Sequence, residues 1–149
     1  MGVLEWTRKY VPMMVHPFFG PLRASIRGEG GTWVWEALEL HSTRRGDADL
    51  GFEAGTSGPG TSHETQLDEI VCDLDRLTAA AAPIIDVKLG GWLERSLADD
   101  PWAELEWQGA RLTGRTGDFQ LHYSCRSWPD AMVNVIFEAG RPARLEIDD

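Results

Sequence analysis

The 149-residue sequence has little of several residue types and motifs that usually indicate a chemical function. It contains two cysteines, Cys72 and Cys125, and it has no Cys-x-x-Cys pair, phosphate-binding loop or Gly-x-Ser-x-Gly turn. The isolated histidines match none of the compact spacings of metal ligands; they are His16, His41, His63 and His122. We therefore expect no metal ion and no organic cofactor.

Long apolar runs are also absent. No run approaches the roughly 20 apolar residues of a membrane-spanning helix, and we expect no membrane association. Residues 1–10 include Glu5, Arg8 and Lys9 and have no long apolar stretch, so they do not resemble a secretion signal. Two cysteines are best interpreted as free, mostly buried thiols, and a disulfide is the less favoured alternative. These features predict a cytoplasmic protein.

Positive charge is scarce, and negative charge is concentrated in one segment. The formal net charge is −10, and the stretch from Glu64 to Glu106 alone holds 11 acidic and 3 basic residues, a net charge of −8. Residues 1–60 and residues 107–149 each carry a net charge of −1. A binding site for phosphates needs basic patches, so nucleic acid is not an expected partner. The acidic segment suits either a cationic protein partner or a solvated surface.

The acidic segment has the apolar spacing of a helical unit, which we place at residues 61–98. Leucine, isoleucine and valine recur every three or four residues and so share one helix face; these residues are Leu67, Ile70, Val71, Leu74 and Leu77. Thr61 and Glu64 have the spacing of a capping box at the start of the helix. Pro83 lacks an amide hydrogen and is expected to interrupt or kink the helix. A second apolar set then comprises Ile84, Ile85, Leu89, Trp92, Leu93 and Leu97.

Strand patterns flank this unit on both sides. After an N-terminal arm at residues 1–15, residues 16–54 alternate between polar and apolar as strands do, with a bulge expected near Glu36 or Ala37. Residues 55–60 form a Gly/Ser/Pro connector, and residues 110–149 predict a three-stranded meander with Ala143 facing inward. We therefore predict one α+β domain, residues 1–149, with antiparallel strands N-terminal and C-terminal to a central kinked helical unit. The sheet and the helical unit form a single layer or a two-layer sandwich.

Seven tryptophans are many for this length, and six of them divide into two groups. Trp33, Trp35, Trp92 and Trp128 are expected in the core, whereas Trp102 and Trp107 stand beside acidic residues and are candidates for an exposed hot spot. The candidate partner-binding residues are Asp68, Asp75, Asp99, Asp100, Trp102, Glu104, Glu106 and Trp107. A core role for each tryptophan is the alternative.

The order of several segments resembles a known family. These segments are the run His16-Pro17-Phe18-Phe19-Gly20-Pro21-Leu22, the Trp-rich strand Trp33–Leu40, the helix from Glu64, the strand Phe119–Arg126, the turn Trp128-Pro129-Asp130 and the strand Val133–Gly140. Together they resemble an uncharacterised bacterial family of domains of unknown function that are compared with the immunity proteins of toxin systems. The resemblance implies a small domain of this fold and, as a function, inhibition of a toxin.

Two functions remain open at this stage. The first is a non-enzymatic protein-binding domain, in the immunity-type form an inhibitor of a cationic toxin through the acidic helical face. The alternative is a small hydrolase-like enzyme whose dispersed carboxylates and histidines converge only in the folded chain. The absence of every compact catalytic motif favours the first.

Overall fold

A computed structural model describes residues 13–27, 31–93 and 96–148, with the side chains of residues 25–27 left aside. Most of the predicted N-terminal arm, residues 1–12, lies outside the described residues, and its last three residues begin a strand. The strands are β1 (Met13–His16), β2 (Gly20–Arg27), β3 (Trp33–Ala37), β4 (His41–Thr43), β5 (Gly46–Ala54), β6 (Leu105–Leu112), β7 (Phe119–Cys125), β8 (Met132–Glu138) and β9 (Arg141–Asp148). The helices are α1 (Thr61–Cys72) and α2 (Leu74–Leu89), followed by a 3₁₀ turn at Pro101–Ala103.

The nine strands form one sheet, with the order β1-β2-β3-β5-β6-β7-β8-β9 and β4 paired to β5. Every pair is antiparallel except β5 and β6, which are parallel. The connection between β5 and β6 carries both helices, as a parallel connection requires. The N-terminal and C-terminal strands thus belong to one sheet in a mixed fold of helices and strands that is dominated by strands.

The parallel junction depends on a glycine. Asp49 of β5 pairs with Gly109 of β6 beside an irregularity between Trp107 and Gly109. A Cβ atom on Gly109 would overlap the carbonyl oxygen of Asp49. Only glycine lets the two backbones approach this closely.

The buried helix faces and the inward side chains of the sheet form one core. The predicted helix row is confirmed, because Ile70, Leu74 and Leu77 are all buried in this core. One hydrogen bond crosses it, between the Thr78 hydroxyl of α2 and the Tyr123 hydroxyl of β7 at 2.8 Å. Burial raises the pKa of Tyr123, so this phenol stays protonated.

The helical unit differs from the prediction at its start, its interruption and its end. Gly60, not Thr61, caps α1, and His63 Nδ1 accepts a hydrogen bond from the Gly60 amide in place of the predicted role of Glu64. The break lies at Asp73, whereas Pro83 sits inside α2 without ending it. Pro83 and the surface around it are exposed, so water can satisfy the carbonyl group that loses its partner. The α-helix ends at Leu89 and not near residue 98.

Four strand predictions also need correction. The segment after Trp33 is two strands, β3 and β4, separated by a bend that leaves Leu38 and Leu40 exposed. The bulge lies on β2, between Ala24 and Ile26, and not near Glu36. The C-terminal meander has four strands because β6 belongs to it. A register shift opposite Ile136 and Phe137 leaves Ala143 unpaired and exposed instead of inward.

Candidate functional site

The structure brings four of the eight predicted partner-binding residues together. Trp102, Glu106 and Trp107 line one cavity of about 380 Å³, and Asp75 reaches its edge through Trp102. Asp75 accepts hydrogen bonds from the Arg45 guanidinium at 2.7 Å and from Trp102 Nε1–H at 3.0 Å. The guanidinium of Arg45 also lies over the Trp102 ring, 5.2 Å from its centre.

Basic residues from outside the acidic segment neutralise part of its charge. Arg45 pairs with Asp75 and Arg126 pairs with Glu106, each at 2.7 Å. Hydrogen bonding to Arg45 is the main cause that lowers the pKa of Asp75, so this carboxylate stays charged. The surface beside Trp102 is therefore a mixed ion-pair surface and not a purely acidic one.

Two of the predicted residues are buried. Glu104 accepts a hydrogen bond from the Ser127 amide through its carboxylate, and its backbone carbonyl accepts another from Arg126. Trp107 is 9% exposed, so the expectation that it lies on the surface is wrong. Its indole Nε1–H has no hydrogen-bond partner among the described residues.

The other predicted residues are exposed but lie on separate elements. Asp68 projects from α1 beside a second cavity, which Phe18 and His41 also line. Asp99 and Asp100 immediately precede the 3₁₀ turn. None of these three carboxylates has an ion pair within residues 13–27, 31–93 and 96–148.

One aromatic feature of the described surface is a tryptophan pair that the sequence analysis placed in the core. Trp92 is 71% exposed and stacks on half-buried Trp128, with ring centres 5.6 Å apart and planes inclined by 15°. Two turns, one after α2 and one between β7 and β8, carry the two rings. An exposed stacked indole pair is a rigid apolar surface that water solvates poorly.

The exposed residues Asp99 and Asp100 lie a few positions before Glu104, which contacts the turn between β7 and β8. Glu104 directly follows the 3₁₀ turn and binds Arg126 and Ser127, the two residues before Trp128. Glu104, a few residues after Asp100, thus connects this part of the chain to the turn that carries Trp128. We call Trp92, Trp128, Asp99 and Asp100 the tryptophan surface.

Two of the histidines have structural roles. His16 Nδ1 accepts hydrogen bonds from the Phe18 and Phe19 amides, while its Nε2 bonds the Pro59 carbonyl at 3.1 Å. His63 uses the same arrangement, with Nδ1 accepting from Gly60 and Nε2 bonding the Glu53 carbonyl at 2.9 Å. This geometry assigns the proton to Nε2 in both rings. The two side chains hold the 55–60 connector in place.

Charged residues converge in a depression on the face of the sheet opposite the helices. Its volume is about 360 Å³, and its polar lining consists of Arg23, Glu36, Asp49, Arg111 and His122. They alternate along β2, β3, β5, β6 and β7 with side chains of the core, so their side chains lie on the outer face. Strand alternation indicated that His122 faces outward, but no local pattern specified the non-local pairing of the five strands.

His122 is neutral at physiological pH. Burial is the main cause that lowers its pKa to about 4, and the charge of Arg111 adds to it, whereas Asp148 opposes the shift. A neutral imidazole adds hydrogen-bonding groups to the depression but no charge.

The cysteines are unpaired, as the favoured interpretation predicted. Cys125 is buried, and burial raises the pKa of its thiol, whereas Cys72 is exposed, contrary to expectation. Among the described residues, no three His, Cys, Asp or Glu side chains are placed to hold a metal ion. The expectation that no metal or cofactor binds stays a prediction. No described helix is both long and apolar enough to cross a membrane.

Comparisons with family models, with curated proteins and with solved structures gave no match to this chain. The resemblance to immunity-type domains therefore stays a prediction, and the functional argument depends on the surface and its chemistry.

Proposed function

We propose that this protein is a non-enzymatic protein-binding domain and that its tryptophan surface binds a cationic protein. The observation that carries this proposal is the exposed Trp92 stacked on Trp128. Tryptophan is among the residues that contribute most to binding energy at protein interfaces. In this proposal the sheet and helices form a two-layer sandwich, and the partner docks at one end of it.

Charge complementarity indicates the chemistry of the partner. Asp99 and Asp100 are exposed and have no ion pair among the described residues, so their negative charge is not neutralised locally. Asp75 and Glu106 are each paired with an arginine and contribute less field. In this proposal a cationic surface on the partner meets the two free aspartates as well as the aromatic pair, and the field steers the encounter.

An immunity-type inhibitor of a cationic toxin is the specific form of this function that the resemblance suggests. Such an inhibitor needs a rigid surface of opposite charge to the toxin, which the tryptophan surface provides. Two unpaired cysteines support a reducing compartment, so we propose a cytoplasmic location.

The test separates the aromatic from the electrostatic contribution. The protein serves as bait for a cationic partner, and binding kinetics are then measured against ionic strength. Trp92→Ala should raise the dissociation rate and cost roughly 2 kcal/mol or more of binding energy, the usual size of a hot-spot loss. Val87→Ala is the control, because Val87 is an apolar side chain that is 90% exposed elsewhere on α2.

The charge test compares two sites. Asp99→Lys together with Asp100→Lys should slow association and weaken its dependence on salt. Asp68→Lys, on α1, should change both much less if docking is local to the tryptophan surface. The proposal would be refuted by a partner whose binding kinetics are unchanged by the substitutions at Trp92, Asp99 and Asp100.

A small hydrolase-like enzyme is the second candidate, because the depression on the outer face gathers Glu36, Asp49 and His122. A neutral histidine is in the correct form for a general base. However, His122 makes no hydrogen bond to a carboxylate within the described residues, as a base oriented by an acid would require. Hydrolysis of ester or amide substrates that His122→Gln abolishes would favour this candidate over the first.

A further inference from the structure

The depression on the outer face of the sheet has a use that the tryptophan surface does not explain. Its position between Glu36 and Arg111 follows from the strand register, since both residues pair with Gly51 of β5 from opposite sides. Two strand spacings separate them, roughly 10 Å between Cα atoms. Gly51 has no side chain, so an acid and a base face each other across an open floor.

The space above Gly51 is open, and close packing does not require a glycine at this position. A Cβ atom on Gly51 would lie 3.7 Å from the Trp35 carbonyl oxygen and 4.0 Å from Arg111 Nε, both ordinary contacts. The side chain of Arg111 therefore leans over the position that Gly51 leaves vacant. The volume of about 360 Å³ is in the range of small-molecule sites.

The four charged side chains around the floor have no hydrogen-bond or ion-pair partner within the part of the chain that the structure describes. Arg23 and Glu36 are directly opposite in the register, yet they form no ion pair. Neither Asp49 nor Arg111 forms a side-chain hydrogen bond or an ion pair with any described residue. By contrast, Arg45 and Arg126 are each paired with a carboxylate. These four side chains are free to bind a ligand.

The mixture of charges restricts the ligand. A simple anion would be attracted by Arg23 and Arg111 but repelled by Glu36 and Asp49, and a simple cation would meet the reverse. A molecule that carries one carboxylate and one ammonium group can satisfy both sets, because arginine binds carboxylates through two parallel hydrogen bonds and carboxylates accept from ammonium groups. Val34, Ala37 and Leu38 form an apolar wall beside the charges.

We propose that this depression binds a free α-amino acid with an aliphatic side chain. Its carboxylate lies on Arg111, its ammonium group on Glu36 or Asp49, and its side chain against Leu38. This site is on a different face from the tryptophan surface, and its test does not depend on a protein partner.

The experiment measures binding of L-leucine to the full chain by calorimetry or by amide shifts in NMR. Two analogues serve as probes of the charges: 4-methylpentanoate lacks the ammonium group, and 3-methylbutylamine lacks the carboxylate. Leucine should bind at least roughly tenfold more tightly than either analogue, the factor that about 1.4 kcal/mol represents. Equal binding of leucine and one analogue, or no binding of leucine at millimolar concentration, would overturn the proposal.

Variants locate the site. Arg111→Gln and Glu36→Gln should each weaken leucine binding by roughly tenfold or more, since each leaves one charge of the ligand unpaired. Gly51→Val should block the floor while leaving the fold intact, which circular dichroism and a melting curve would verify. Arg144→Gln is the control, because Arg144 is an exposed arginine on β9 away from the depression. Leucine binding that survives Gly51→Val and Arg111→Gln would place the ligand elsewhere and contradict the assignment.

Discussion

Arg45, in the turn before β5, donates a hydrogen bond of 2.7 Å to Asp75, in the first turn of α2. The pair connects residues 1–60 with the acidic segment, and Trp102, near the end of that segment, donates to the same carboxylate oxygen. A charge count of −8 for residues 64–106 therefore overstates the local field around Asp75. Asp99 and Asp100, which have no ion pair among the described residues, contribute more negative field than the paired Asp75.

This relationship predicts a shift in a titration curve. Arg45→Gln removes the first cause of the depressed pKa of Asp75, so this pKa should rise toward the ordinary range of an aspartate. Carboxyl carbon chemical shifts followed by NMR against pH would measure it. Arg76→Gln is the control, because Arg76 pairs with Asp73 and should leave Asp75 unchanged. An Asp75 pKa that does not move in Arg45→Gln would show that the ion pair is weak in solution.

The helix row provides a stability prediction. Leu74 is fully buried between α2 and the sheet, so Leu74→Ala should lower the free energy of unfolding by about 2–5 kcal/mol through lost contacts and a cavity. Chemical denaturation monitored by circular dichroism measures it. Val87→Ala, at a side chain that is 90% exposed on the same helix, should stay within about 0.5 kcal/mol of wild type. A Leu74→Ala variant as stable as Val87→Ala would show that this face is not part of the core.

Local patterns explain which sequence predictions were confirmed. The alternation from Phe119 to Cys125 appears in the structure as buried and half-buried residues in strict turn, because a strand paired on both sides has a period of two. The predicted apolar row of the helices was confirmed for a similar reason, because residues on one face of a helix recur with a period near 3.6. The prediction that Trp92 lies in the core was wrong. Trp92 follows Ile85 and Leu89 at helical spacing, but the chain leaves the helix after Leu89. The ring then turns away from the buried face.

The remaining features depend on contacts between distant residues. The parallel pairing of β5 and β6 joins strands that flank the whole helical unit, and no local pattern in either strand specifies it. Gly51 and Gly109 are the available signals, since a glycine inside a strand often marks close backbone approach or an open site. The depression, the tryptophan surface and the pairing of Arg45 with Asp75 all required the folded chain.

The glycine at the parallel junction predicts a severe effect. Gly109→Ala would place a Cβ atom on the Asp49 carbonyl oxygen, so β5 and β6 could not pair as they do. We expect a loss of about 3 kcal/mol or more in the free energy of unfolding, at or beyond the upper end for overpacked sites. Gly55→Ala is the matched control, because nothing lies within 4 Å of its Cβ position. Equal melting temperatures for the two variants would contradict the described register.

Gln66 predicts a second large loss from a single side chain. It is buried on α1, where its Nε2 donates to the Arg115 and Asp118 carbonyls and its Oε1 accepts from the Thr113 and Gly114 amides. Gln66→Leu leaves these backbone groups unpaired. The free energy of unfolding should fall by about 1–3 kcal/mol for each group that water cannot reach.

Thr65→Ala, one residue earlier and exposed, is the control for Gln66→Leu. Hydrogen exchange offers a second measurement, because the Thr113 and Gly114 amides should lose protection in Gln66→Leu and keep it in Thr65→Ala. Unchanged exchange at both amides would mean that Gln66 does not hold this loop.

His122 predicts the pH dependence of stability. Its pKa is about 4 in the folded protein and near 6.5 when solvated, so between these values the unfolded chain binds a proton that the folded chain does not. The free energy of unfolding should therefore be unaffected by His122 above pH 6.5 and should fall as the pH drops from about 6.5 to about 4. Below that range both states are protonated and the effect is constant. The loss across the window is up to about 3 kcal/mol, since one pKa unit corresponds to about 1.4 kcal/mol.

The difference in the free energy of unfolding between wild type and His122→Gln isolates this contribution from that of the carboxylates. This difference should be constant above pH 6.5. As the pH falls from 6.5 toward 4, the free energy of unfolding of wild type should decrease relative to that of His122→Gln. Arg111→Gln provides an independent check. Removing the neighbouring positive charge should raise the pKa of His122 and narrow the pH range over which His122 affects stability. NMR titration of the ring protons reads that shift directly. A difference that does not change between pH 6.5 and 4 would mean that the imidazole is as solvated in the folded protein as in the unfolded chain.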